Sequence, residues 1–285
     1  MAGTGVEAAH CVKSKELYPP VFSRHAAAYQ RRLEDIMSRS ESVGRMRALE
    51  LVDAGPGTKI LDLACGPGTL SRRLAELVQP GGEVVGVDLA PGMLALARSM
   101  NIPNAHFVIM DIEQLAFADA SFDAELCGHG FQFVPDLRRA LREARRVLRS
   151  TGRLAASVPV SARHDQEVWS MLDTVIDSWL PRAPEAVDQR PTRETIQDAA
   201  AFQQAAVDAG FASAEVELVE ETVHWESAEH LVTNFMGWWD CASRLEGMDA
   251  IRRQAIMDDS IKTLRRRHPG RIETKGRNHV LYARA

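Results

Sequence analysis

Cysteine is scarce in this sequence and never stands in a pattern that binds a metal or closes a disulfide framework. The 285 residues include four cysteines, at positions 11, 65, 127 and 241, without a C-x-x-C pair or a zinc-type spacing. Isolated thiols of this kind are typical of reduced, cytoplasmic proteins. Histidines and carboxylates show no ligand spacing either, so the sequence predicts no metal site.

Long apolar runs and an excess of positive charge are also lacking. No stretch approaches the ~20 apolar residues that cross a bilayer, and the first residues show no signal-peptide core. The net charge of −5 argues against a general nucleic-acid footprint, and the Arg-rich stretch 265–268 is typical of a solvated helix end. We therefore expect a cytoplasmic protein with a small-molecule partner, no nucleic-acid partner and no membrane span.

Hydrophobic residues make up 45% of the chain and charged residues 26%, as in a globular protein with a buried core. We expect an N-terminal tail and helical lid over 1–54 and a core domain over 55–285, with cap insertions at about 160–194 and 227–269. Within the N-terminal region, 1–17 is predicted to be a loose tail, and Tyr18-Pro19-Pro20 to stop regular structure. A helical pattern follows from Val21 to about Leu51.

The core domain alternates strand and helix patterns, which is typical of an α/β fold. The predicted strands are 59–63, 83–88, 106–112, 121–127, 151–158, 214–221 and 278–283, the last one antiparallel and paired near Val216. The predicted helices are 69–78, 135–149, 168–180 and 196–209.

One stretch organises this domain. The apolar run Lys59–Leu63 predicts a buried strand that enters a helix at Thr69 through a glycine-rich turn. Such a turn directs backbone N–H groups at a ligand, and Gly66 and Gly68 let the main chain approach it closely. The pattern indicates a nucleotide-type cradle at the carboxyl edge of a parallel sheet, although a turn that merely joins strand to helix has the same local signal.

The turn departs from two common phosphate-binding motifs. Ser71 stands where a dinucleotide fingerprint has its third glycine, and the lysine of a phosphate-binding loop is absent. Asp62 lies inside the strand, where its charge would oppose a pyrophosphate and favour a cation. These features favour a positively charged ligand.

The run L-D-L-A-C-G-P-G-T resembles the first motif of class I S-adenosylmethionine-dependent methyltransferases, above all the ubiquinone/menaquinone type that acts on small molecules. The resemblance implies a Rossmann-like, seven-stranded, mostly parallel sheet of order 3-2-1-4-5-7-6 with its last strand antiparallel, a helical N-terminal lid and helical insertions. It also implies S-adenosyl-L-methionine as cofactor. A nicotinamide-dependent oxidoreductase and a cofactor-binding protein without catalysis are the alternatives, the former disfavoured by Ser71 and Pro67.

Two acids at predicted strand ends belong to the same site. Asp88 follows Gly68 by 20 positions, the spacing at which an acid reaches ribose hydroxyls, although it could instead cap the helix at Pro91. By the resemblance, Asp111 accepts from the adenine amino group and Ile112 offers its N–H. The predicted cofactor site comprises Tyr29, Asp62, Ala64, Cys65, Gly66, Gly68, Asp88, Leu89, Met93, Met110, Asp111, Ile112 and Cys127.

The stretch after the fourth strand bears on the chemistry. Residues 127–136 lack the N-P-P-Y of base-modifying enzymes and resemble small-molecule methyltransferases, with His129 in place of an expected glutamine. His129 is a candidate base, or a residue that only orients the acceptor. Tyr29, in the predicted lid, is either a catalytic contact to cofactor or acceptor, or a packed ring.

The second insertion carries an apolar stripe at helical spacing, ending in Phe235, Met236 and Trp239. The stripe is either core or an aromatic lid over the acceptor, and apolar insertions could equally form a homo-oligomer interface. The predicted substrate pocket comprises His129, Gln132, Phe133, Phe235, Met236 and Trp239. Because this region is rich in aromatic residues and poor in fixed charge, we expect a small, largely apolar, aromatic acceptor of secondary metabolism. A quinol, phenol or indole fits, with carbon favoured over oxygen or nitrogen.

Overall fold

A computed structural model describes residues 12–160, 167–183 and 186–285, and its centre is a seven-stranded sheet. The strands are β1 (Lys59–Leu63), β2 (Glu83–Asp88), β3 (Ala105–Ile109), β4 (Phe122–Gly128), β5 (Leu148–Pro159), β6 (Ser213–Trp225) and β7 (Ile272–Arg284). Their order is β3-β2-β1-β4-β5-β7-β6; β1 to β5 are parallel, and β7 is antiparallel to both β5 and β6. The predicted α/β architecture and strand order are confirmed.

Helices cover both faces of the sheet. They are α1 (Ser14–Arg24), α2 (Ala26–Ser38), α3 (Val43–Leu51), α4 (Thr69–Leu77), α5 (Pro91–Ser99), α6 (Leu137–Val147), α7 (Glu167–Trp179), α8 (Arg190–Gln197), α9 (Ala199–Asp208), α10 (Ala228–Met236), α11 (Trp239–Arg244) and α12 (Ala250–Arg267). Successive strand residues point to opposite faces, so Ile60 joins the core beneath α3 and α4 while Leu61 joins the core beneath α6 and α9. This double burial explains the continuous apolar runs of the central strands.

A separate apolar core lies under the insertions. Trp169 of α7, Phe235 of α10 and Ile256 of α12 pack there with Trp225 and Ile272 from the far ends of β6 and β7. The two strands stay paired over 13 residues each, well beyond the predicted bounds 214–221 and 278–283. Their extensions bury Trp225, whose Nε1 donates to Thr274 Oγ1 at 2.9 Å, and this tertiary burial is not encoded in the local pattern.

The predicted break at Tyr18-Pro19-Pro20 is wrong, because helix α1 runs from Ser14 through both prolines to Arg24. Proline has a helix-compatible φ, but it lacks the amide donor and its ring crowds the carbonyl of the preceding turn; burial of Tyr18 and Val21 offsets these costs. The prediction of a loose tail is therefore wrong for residues 14–17, and its first part, residues 1–11, lies outside the described residues.

Two further helical predictions need correction. The helix predicted over 196–209 is broken at Asp198, whose backbone is extended and whose side chain accepts from Ala201 N at 2.9 Å as the cap of α9. The stripe ending in Trp239 is not a single helix, because α10 ends at Met236 and Trp239 begins α11. Over the described residues, no helix combines the length and hydropathy that a membrane span requires. The division into a lid region and a core with two caps remains a prediction.

Candidate functional site

The turn between β1 and α4 has the backbone geometry of a cradle. Ala64, Gly66 and Gly68 have φ of 54°, 55° and 82°, so the chain reverses sharply within five residues. A methyl group placed on Gly66 would meet no atom within 4 Å, whereas one on Gly68 would lie 2.5 Å from Met100 Cε. Gly66 therefore borders open space that a ligand can fill, while Gly68 is required for packing.

Asp88, at the tip of β2, holds this turn in place. Its Oδ2 accepts from Gly66 N at 2.9 Å, and its Oδ1 accepts from Ala90 N at 2.8 Å. The N-cap of α5 is Ala90, so the alternative in which Asp88 caps that helix does not describe this structure. Burial raises the pKa of the Asp88 carboxyl, and the amide donors of Ala90 and Gly66 oppose that rise.

Asp62 lies behind the cradle rather than in it. It is 1% exposed, and its Oδ2 accepts from Ser71 Oγ at 2.5 Å. Burial raises its pKa to about 7, against the Ser71 hydrogen bond and with a smaller contribution from the Asp88 charge. The serine that replaces the third glycine of the dinucleotide pattern is thus the partner of this buried acid.

The cradle opens into a cavity, here called the first cavity. Nine of the thirteen predicted cofactor residues line it: Tyr29, Ala64, Gly66, Asp88, Leu89, Met93, Met110, Asp111 and Ile112. Asp62, Cys65, Gly68 and Cys127 do not, because their side chains or backbone face the sheet and the packed helices. Cys65, for example, packs with Leu94, Ala97 and Phe107.

Helix α1 closes one side of this cavity, which the sequence analysis missed. It contributes Ser14, Lys15, Tyr18, Pro19 and Phe22 to the lining. Lys15 Nζ lies 2.6 Å from Asp111 Oδ2 and also contacts Glu113. Against the effect of burial, hydrogen bonds to these two acids raise the pKa of Lys15. The spacing of Tyr18, Val21 and Phe22 is the helical signal that could have placed α1 in the lid.

Tyr29 has a packed ring and also borders the first cavity. Its ring packs edge-on against Phe22, with centroids 5.8 Å apart. Its predicted contact with cofactor or acceptor stays a prediction. Its hydroxyl accepts from Arg45 Nη2 at 3.4 Å.

His129 follows the tip of β4 and borders two cavities at once. Its backbone has a φ of 67°. Its N–H donates to Ser157 O at 2.9 Å, and its carbonyl accepts from Gln132 Nε2 at 2.8 Å. Its Nε2 is buried and has no hydrogen-bond partner among the described residues. Burial, then the charge of Arg45, lower the pKa of the imidazole well below its usual value, so the imidazole is neutral at pH 7.

The second cavity lies beyond His129. Of the predicted substrate residues, His129, Gln132, Phe133 and Trp239 line it, together with Trp169, Trp225 and Trp238. Phe235 and Met236 do not, because they pack in the core under the insertions, where the Phe235 ring stacks on Trp169 at 6.1 Å.

The expectation that this region is poor in fixed charge is wrong. The lining includes Arg32, Arg45, Arg193 and Lys275, with Glu221 as the one acid named among the lining residues. These cations come from α2, α3, α8 and β7, which are far apart in the chain. No local motif could have brought them together. Within the described ranges, no group of three or more His, Cys, Asp or Glu is placed to hold a metal ion.

Comparisons with known proteins match part of the chain to a recognised domain. Residues 61–156 match the family described as a methyltransferase domain. Over 141 residues the chain is 35% identical to a demethylmenaquinone methyltransferase of Staphylococcus aureus, covering 49% of this chain and 58% of that protein. Over 113 residues it is 42% identical to an uncharacterized 37.1 kDa protein of a Streptomyces fradiae transposon, covering 39% and 33%. The chain therefore spans less than two thirds of the length of these curated relatives.

A solved structure extends the likeness in fold. The phosphoethanolamine N-methyltransferase 2 of Haemonchus contortus, in complex with phosphomonomethylethanolamine and S-adenosylhomocysteine, aligns with 96% of this chain and 60% of its own. The TM-score is 0.56 at 16% identity, so the likeness concerns the fold alone.

Proposed function

We propose, on the premise that residues 61–156 form a class I S-adenosylmethionine-dependent methyltransferase domain, that this protein transfers the cofactor's methyl group to a small aromatic acceptor. One observation carries the proposal. His129 stands where the cofactor cavity meets the aromatic cavity, with a buried, unpartnered Nε2 among the described residues. An acceptor in the aromatic cavity would therefore meet both the methyl group and a neutral imidazole at one point.

The residues of the first cavity fit the cofactor. The space beside Gly66 admits a ligand without a clash, and the Asp88 carboxylate beside it can accept from ribose hydroxyls. Leu89, Met110 and Ile112 offer apolar walls to an adenine ring, and Asp111 lies next to them as an acceptor for its amino group. When bound, the cofactor supplies an electrophilic methyl group.

The remaining work falls to residues that position the acceptor and exclude water. Phe133 packs edge to face against Tyr18 and Phe22, with ring centroids 5.0 Å and 5.2 Å apart. Phe133 lines both cavities, so this cluster borders the space for the cofactor and the space for the acceptor. The acceptor atom that gains the methyl group loses one proton, and His129 Nε2 takes it, or holds the group by a hydrogen bond if the proton leaves elsewhere.

The aromatic lining narrows the acceptor class. Trp169, Trp225, Trp238, Trp239 and Phe133 present flat apolar surfaces, which suit a quinol, a phenol or an electron-rich indole. Carbon attack is favoured over oxygen and nitrogen by the similarity to a demethylmenaquinone methyltransferase. A role in secondary metabolism is part of the proposal.

Calorimetry and turnover together test this function. We expect micromolar binding of S-adenosylhomocysteine and none of NAD, followed by mass-detected methylation of members of a phenol, quinol and indole panel. Binding of NAD alone would replace the proposal with a nicotinamide-dependent oxidoreductase. Binding of S-adenosylhomocysteine without turnover of any panel member would favour a cofactor-binding protein that lacks catalysis.

A further inference from the structure

The second cavity is aromatic and also positively charged. Four of its lining residues are cationic, and Glu221 is the acid among them. A small apolar acceptor has no use for a cation that the protein leaves without a counter-charge. The charge of the lining therefore constrains the acceptor in a way that the aromatic residues alone do not.

Arg193, on α8, is the cation whose surroundings are most informative. It is partly buried. Its Nη2 lies 3.5 Å from the Tyr18 hydroxyl and 2.8 Å from the side-chain amide of Gln189, whose oxygen is the acceptor. Both neighbours are uncharged. No carboxylate of the described residues lies within ion-pair distance of Arg193. By contrast, Arg244, a similarly enclosed arginine elsewhere in the chain, has Asp177 at 2.8 Å.

Arg45, close to His129, repeats this arrangement. It donates to Ser42 Oγ at 3.1 Å and to the Tyr29 hydroxyl at 3.4 Å, again without a carboxylate from the described part of the chain. Its charge contributes to the lowered pKa of His129. Because Tyr29 also lines the cofactor cavity, the anion nearest Arg45 can be the carboxylate of the cofactor itself. Arg193 lines only the second cavity.

Enclosing a guanidinium without a counter-charge is costly, so an arginine held by neutral groups is prepared for an anion that a ligand brings. The planar fork of Arg pairs best with a carboxylate or phosphate. We propose, building on the function proposed above, that the acceptor is an aromatic acid whose anionic group binds Arg193. The ring then lies among Phe133, Trp238 and Trp239, and the atom to be methylated lies toward His129.

Matched pairs of ligands test this assignment on the full chain saturated with S-adenosylhomocysteine. The probes are aromatic carboxylates and their amides, namely indole-3-acetate with indole-3-acetamide and 4-hydroxybenzoate with 4-hydroxybenzamide, and phenyl phosphate with phenol as the phosphate arm. We expect the anion of at least one pair to bind about tenfold or more tightly than its neutral partner, as for a charge-assisted hydrogen bond. Equal binding within every pair, or no binding of any probe, would overturn the proposal.

Variants locate the effect. Arg193→Gln should abolish the preference for the anion while leaving the affinity for S-adenosylhomocysteine and for the neutral probe unchanged, and Arg193→Lys should retain part of the preference. Arg190→Gln, one turn earlier on the same helix at an exposed position outside the cavity, is the matched control and should change nothing. Loss of the preference in Arg45→Gln but not in Arg193→Gln would refute the assignment to Arg193. Failure of the wild-type chain to bind S-adenosylhomocysteine would refute the proposed function and leave the anion preference to be judged in the free protein.

Discussion

Replacing Asp62 by asparagine should change how stability depends on pH. The carboxyl is 1% exposed and its pKa is raised from 3.8 to about 7, chiefly by burial. Between those two values the native state holds a proton that the unfolded state has released, so stability falls as the pH rises toward 7 and is constant above it. The loss is about 1.4 kcal/mol for each step of one in pH, or roughly 2–3 kcal/mol from pH 5 to pH 8.

The asparagine in the Asp62→Asn variant would keep an oxygen that can accept from Ser71 but could not titrate. The difference in unfolding free energy, Asp62→Asn minus wild type, should therefore grow by about 2–3 kcal/mol between pH 5 and pH 8. Urea unfolding followed by tryptophan fluorescence measures it, since the chain has five tryptophans. Asp53→Asn, which changes the charge equally at an exposed position, is the control and should run parallel to wild type. Parallel curves for Asp62→Asn as well would show that Asp62 is ionised normally in the folded protein.

Three further predictions concern the cofactor and the base. Asp88→Ala should weaken S-adenosylhomocysteine binding by one to a few kcal/mol in calorimetry, about the value of a lost charged hydrogen-bond pair, and unchanged affinity would remove Asp88 from the site. Gly66→Ala should also weaken the binding of S-adenosylhomocysteine and should lower the melting temperature modestly. Gly247 has a φ of 72° and equally open surroundings, so Gly247→Ala should lower the melting temperature by a similar amount without changing that affinity. His129→Ala should lower turnover while leaving the affinity for the cofactor unchanged. Because the pKa of the imidazole is lowered, the activity of the wild type should persist as the pH falls below 6.5. Full activity of His129→Gln would show that His129 only orients the acceptor.

The parts of the site that could be predicted are those encoded within a few consecutive residues. The turn at Gly66 and the acid at Asp88 are indicated by strand endings and glycine spacing, and both residues line the first cavity. The cations of the second cavity could not be predicted, because Arg45 and Arg193 line the same cavity only once α3 and α8 have packed in the folded chain. Helix α1 was hidden for a different reason. Its prolines signal a break locally, and only burial of Tyr18 against Phe133 and Trp239 makes the helix favourable.

His129 and the aromatic residues near it come from different parts of the chain, the central sheet and the insertions. Ala64 and His129 both have left-handed backbones, which non-glycine residues adopt at a cost, and they follow the tips of the neighbouring strands β1 and β4. A methyl group on Gly130 would lie 2.6 Å from Ala64 Cβ, so only glycine lets the two turns approach this closely. His129 is thus held on a constrained backbone at the end of a sheet strand. The aromatic wall comes largely from the insertions and from the extensions of β6 and β7, so substitutions there can change the second cavity without moving His129.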